Sequence, residues 1–153
     1  MVMTKFLVFL LIVLLCSTPV FASEDVFEKV ADKYYSEGNK IIEEEKDFMG
    51  NYDGFFTYTT PHKIFISKTC ERKYYVIAHE LGHYIYYKTK DKWTPDMHST
   101  LAAFYSYYSD TIKERCFTED ETFAEMFAWY STKQVSLTIS ELIEKAVEIL
   151  LAE

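Results

Sequence analysis

The segment Val76-Ile77-Ala78-His79-Glu80-Leu81-Gly82-His83-Tyr84-Ile85 decides how the rest of this chain is read. It sets His-Glu-x-x-His inside an otherwise uncharged, mostly apolar stretch. Residues i and i+4 of a helix share one face, a turn apart. His79 and His83 can therefore hold one metal ion between their imidazoles, and zinc is the ion this pattern suits. Glu80 stands beside them, where it can take a proton from a metal-bound water. Ionised side chains flank the run only at Arg72, Lys73 and Lys88, so the pattern predicts a buried helix over 72–88. A plain core helix would accommodate two hydrogen-bonded histidines. It would not account for Glu80, because Glu is almost never fully buried without a partner. Gly82 inside a helix costs about 1 kcal/mol relative to alanine. A close approach by another backbone or by a ligand would explain it.

The chain has 153 residues, enough for one domain. Its first 22 residues are expected to lie outside that domain. Lys5 precedes an apolar run from Phe6 to Cys16, and Ser17 to Ala22 follow, with Val20 and Ala22 placed as in a leader cleavage site. The run is short for a transmembrane helix. The expectation is an exported protein beginning at Ser23, with a 23–153 domain and no stable membrane insertion after cleavage. Cleavage would remove Cys16 and leave Cys70 and Cys116. An exported pair can form a disulfide, which here would tie the start of the motif helix to a later acidic segment. Two free thiols, or Cys as zinc ligands, are the alternatives. The absence of a Cys-x-x-Cys pair argues against a structural zinc knuckle.

The formal net charge is −8. No basic cluster is present to neutralise phosphates, which speaks against a nucleic-acid partner. Tyrosine is abundant, with 13 in the chain, and a domain this small must keep many near its surface. That suits a peptide-binding cleft.

Apolar spacing predicts a first helix over 24–37, stopped at Gly38-Asn39. Ile41-Ile42 can start a strand. Residues 49–54 read as a loop, and 55–59 and 63–67 as short strands around Thr60-Pro61-His62. Residues 91–97, with Pro95, read as a loop, and helices are expected over 99–115, 118–130 and 140–151. Helices outweigh strands and the strands come early, so the fold class is α+β, a minimal sheet beside a helical C-terminal half.

A catalytic zinc commonly has three protein ligands and one position for water. A further His six residues after His83 would give the metzincin pattern, but that position is Thr89, and Tyr86 stands where a Gly is expected. A carboxylate on a later helix is the usual alternative. The best candidate is Thr118-Glu119-Asp120-Glu121-Thr122-Phe123-Ala124-Glu125-Met126-Phe127-Ala128, in which Glu121 and Glu125 share a helix face. One can bind metal while the other orients an imidazole. Thr118-x-x-Glu121 is also a capping box, so Glu121 can simply close a helix N-terminus, with Glu119 and Asp120 favouring the dipole. That does not explain Glu125. Glu121 is the preferred third ligand, with Glu125 and His98 as rivals.

These residues resemble the gluzincin metallopeptidases. His79-Glu-Leu-Gly-His83 followed by Glu121-Thr-Phe-Ala-Glu125-Met-Phe is most similar to the anthrax lethal factor-like domain and the Pro-Pro endopeptidases, over about residues 63–130. The resemblance implies a zincin-like fold, zinc held by His79, His83 and Glu121, Glu80 as general base and Glu125 in support. It further implies a secreted endopeptidase acting on peptide or protein substrates. Those families place an oxyanion-stabilising Tyr seven residues before the third ligand, where this chain has Glu114; Tyr105, Tyr107, Tyr108 and Tyr130 are candidate substitutes. The same motifs, with Lys-Ile-Phe-Ile before them, are also similar to ImmA/IrrE-type metallopeptidases. Those are generally intracellular, which conflicts with the leader. Strand 63–67 is expected to offer an edge to an extended substrate. The rival to an enzyme is an inactive exported zinc-binding module of the same fold.

Overall fold

In a computed structural model, residues 21–111, 118–132 and 135–153 are described. Residues 1–20, Cys16 among them, Glu114 and Cys116 lie outside them, so most of the expected 1–22 leader and the anticipated Cys70–Cys116 bridge do too. Cys70 is buried. The elements in chain order are α1 (Phe21–Ser36), β1 (Lys40–Glu44), α2 (Lys46–Met49), β2 (Gly54–Phe56), β3 (Lys63–Ser67), α3 (Lys73–Thr89), a 3-10 turn (Lys90–Lys92), α4 (Pro95–Thr111), α5 (Glu119–Thr132) and α6 (Leu137–Leu151). The fold is α+β, with one small mixed sheet and a helical remainder. Among the described residues no helix is long and apolar enough to cross a membrane.

The motif helix α3 is the centre of the molecule. It touches β2, β3, α1, α5 and α6. Val76, Ala78, Leu81, Tyr84 and Ile85 are buried along it. Its closest partner is α5, and Gly82 marks the crossing. A Cβ on Gly82 would lie 2.6 Å from Ala124 Cα, closer than any side chain tolerates. The expected reason for a mid-helix glycine is therefore met by the backbone of α5. From α6, Ile139, Leu142, Ile143, Ala146, Val147 and Leu150 complete the core at helical spacing.

The sheet order is β1-β3-β2, with β1 parallel and β2 antiparallel to β3. Strand alternation turns Ile64, Ile66 and Phe56 into the core. It puts Phe55 and Phe65, paired in register, on the other face, where their rings stack at 4.7 Å and Phe48 from α2 joins them. Strand 63–67 lies in the middle, hydrogen-bonded on both sides. This corrects the expectation that it offers a free edge; the edges are β1 and β2. Hydrophobic alternation identifies a strand but carries no information on strand order, which long-range pairing decides.

Three local boundaries also differ. Lys46–Met49 forms a short helix that reaches the first residue of the predicted 49–54 loop, and β2 runs Gly54–Phe56 against a predicted 55–59. Helix α4 begins at Pro95 rather than after the loop. Proline suits the first helical position, where its missing N–H has no partner to lose. Thr94 stands before it, accepting from Met97 N at 3.4 Å through its hydroxyl.

Candidate metal centre

Helices α3 and α5 bring the site together. Being one turn apart on α3, the His79 and His83 rings lie side by side with centroids 4.9 Å apart. Glu121 faces both from the first turn of α5: one carboxylate oxygen is 3.3 Å from His79 Nε2 and the other 3.6 Å from His83 Nε2. Ligand atoms of His79, His83 and Glu121 all fall within 4.8 Å of one another, so these three residues could hold a metal ion. They are the sole such group among the described residues. His98 is elsewhere, its ring against Trp93 at 5.5 Å.

Thr118 caps the helix, and this does not compete with the placement of the Glu121 side chain. Thr118 Oγ1 accepts from the Glu121 backbone N–H at 3.1 Å. The Glu121 side chain is left to face the histidines, so one residue supplies the capped N–H and the facing carboxylate.

Each imidazole is oriented from its other nitrogen. His79 Nδ1 is 3.2 Å from Glu125 Oε2, and His83 Nδ1 is 2.8 Å from Asp120 Oδ1. A carboxylate only accepts, so each Nδ1 carries a hydrogen, and each Nε2, once neutral, is the atom that could face a metal ion. The carboxylates are held in turn. Tyr58 Oη donates to Asp120 Oδ2 at 2.6 Å. Tyr75, one turn before His79, donates to Glu125 Oε1. The family resemblance implied Glu125 in this supporting place, while the residues alone left it a rival ligand, and Asp120, Tyr58 and Tyr75 were missed. A signal existed for Asp120: two histidines on one helix need two orienting partners, and only one had been assigned.

Charge follows geometry. Burial alone would lower the His79 pKa, but hydrogen bonds to Glu121 and Glu125 outweigh burial and raise it, so the ring holds its proton firmly and a metal ion would have to displace the one at Nε2. The hydrogen bond from His79 holds the Glu121 carboxyl below its ordinary range. For Asp120, burial works against ionisation, yet His83 and Tyr58 keep its pKa low. Glu80 behaves oppositely. It is 5% exposed, and burial pushes its pKa up. The edge strand β2 comes close: a Cβ on Gly54 would meet Val76 Cγ1 at 2.4 Å and Glu80 Oε1 at 3.1 Å. Glycine at 54 thus lets β2 press against the helix beside Glu80.

Of the tyrosines considered for oxyanion contact, Tyr130 is engaged elsewhere, its hydroxyl 3.2 Å from Glu144 on α6. The Tyr108 side chain lies outside the described residues. Comparison with known proteins returns no match to a family model, a curated protein or a solved structure.

Proposed function

We propose that this protein is a zinc metallopeptidase of the gluzincin type, with His79, His83 and Glu121 as ligands and Glu80 as general base. One observation carries the reading: two Nε2 atoms and a carboxylate converge within 4.8 Å, with a buried carboxylic acid next to them on the same helix. Two imidazoles and one carboxylate are the donor set of catalytic zinc, which leaves a coordination position for water. When bound, zinc lowers the pKa of that water and polarises a carbonyl. The protein's own groups do the rest. Glu80, whose burial raises its proton affinity, accepts the proton of the attacking water and returns it to the leaving amine. Asp120 and Glu125 keep both imidazoles in the ligating tautomer. Glu121 is the most exposed ligand, its side chain at 39%, so the centre opens to solvent on that side.

The resemblance to lethal factor-like and Pro-Pro endopeptidase domains, and the leader expected at 1–22, support a secreted enzyme acting on peptides. The departure at Glu114 favours a second reading, an inactive zinc-binding module of the same fold. A peptide-library digest with Glu80→Gln beside the wild type separates them. The variant should keep its zinc and lose at least about 100-fold in turnover, the lower range for a general base. Equal cleavage by both proteins would refute the assigned base, and cleavage by neither would favour the binding module.

A further inference from the structure

Tyr58 lies outside both helices that form the centre. It sits in the β2–β3 connection, whose base is closed by Thr57 N donating to Lys63 O at 2.8 Å and Lys63 N donating to Thr57 Oγ1 at 2.9 Å. Its ring packs edge-on against Phe56 at 5.0 Å and Tyr87 at 5.6 Å. Its hydroxyl reaches across to α5 and donates to Asp120. The chain of contacts Tyr58–Asp120–His83 therefore begins in a loop beside the edge strand and ends on a ligand. The other chain, Tyr75–Glu125–His79, stays within α3 and α5.

We propose that Tyr58 is a positioning residue of the metal centre, which fixes Asp120 and through it His83, and so couples the order of the 57–62 loop to metal occupancy. This rests on the metal-centre reading above. An Asp120 carboxylate without the Tyr58 bond gains rotational freedom, and His83 loses part of its fixed direction. Removal of outer partners of this kind weakens metal binding by about 10–100-fold. Tyr58 is one bond farther out, so the lower end is expected. Linkage is reciprocal: if the loop favours the metal, the metal must favour the ordered loop by the same factor.

The test uses Tyr58→Phe, which removes one oxygen and keeps the ring. Zinc affinity by chelator competition should fall about 10-fold, and Tyr87→Phe, a neighbouring hydroxyl, should leave it unchanged. Zinc should slow amide exchange at 57–62 in the wild type and do so less in Tyr58→Phe. Asp120→Asn should also weaken zinc, and adding Tyr58→Phe to it should cost less than the product of the two effects. Unchanged affinity in Tyr58→Phe, with the wild type binding zinc normally, would overturn the positioning role and leave the centre standing. Independent effects in the double variant would overturn the route through Asp120. A wild type that binds no zinc would overturn both the centre and this inference.

Discussion

At Gly82, helix propensity and packing make opposite predictions. Alanine is the better helix former by about 1 kcal/mol. Its methyl would stand 2.6 Å from Ala124 Cα and 3.2 Å from Phe127 Cβ, and backbone cannot swing aside. Gly82→Ala should therefore lose roughly 1–3 kcal/mol in urea unfolding, the cost of overpacking. A neutral or stabilised variant would contradict the close crossing of α3 and α5. Gly82 was legible in the sequence because a mid-helix glycine is a cost without local benefit. Asp120 was not, because an acid in the first turn of a helix already has a sufficient reason in the dipole. Tyr58 was beyond reach for a different reason: 62 residues separate it from Asp120, and no local pattern links them.

Elements defined by their own periodicity were read well. β3 covers the predicted residues 63–67, and the motif helix runs from Lys73 to Thr89 against a predicted 72–88. Elements whose limits depend on partners were not: β2 ends at Phe56, where its pairing to Ile64 stops, and the β1 pairing that encloses β3 joins residues 23 apart. One inter-element contact gives a pH signature. Glu37, just past the end of α1, lies 3.4 Å from Lys88 on α3 and 3.6 Å from Lys33. Burial works against its ionisation, but the Tyr84 hydroxyl and the Lys88 ammonium outweigh this, and its pKa is lowered from 4.5. A depressed carboxyl pKa stabilises the fold above the unfolded value, and the effect is lost as pH falls through the folded value. Glu37→Gln should cost up to about 1 kcal/mol at neutral pH, the scale of such pairs, and the cost should shrink as pH falls below 4.5 through the lowered folded pKa. A deficit that does not shrink on acidification in chemical unfolding would assign the effect to packing instead.

The molecule as a whole is arranged around α3, with the sheet on one side and α5 on another, and the candidate ligands span the α3–α5 contact. The α+β class was legible in the order of elements, few early strands followed by helices; the central place of α3 was not, because it depends on packing between elements distant in sequence. The conversion of that architecture into a metal centre rests on the convergence at His79, His83 and Glu121. A bound ion would cross-link the two helices, so occupancy and folding should be coupled. The most direct test is the zinc content of the protein from Ser23 onward, by elemental analysis, beside His83→Ala. About one zinc per chain in the wild type, lost in the variant, is the predicted result. No zinc in either protein after reconstitution would contradict the centre and, with it, the proposed peptidase.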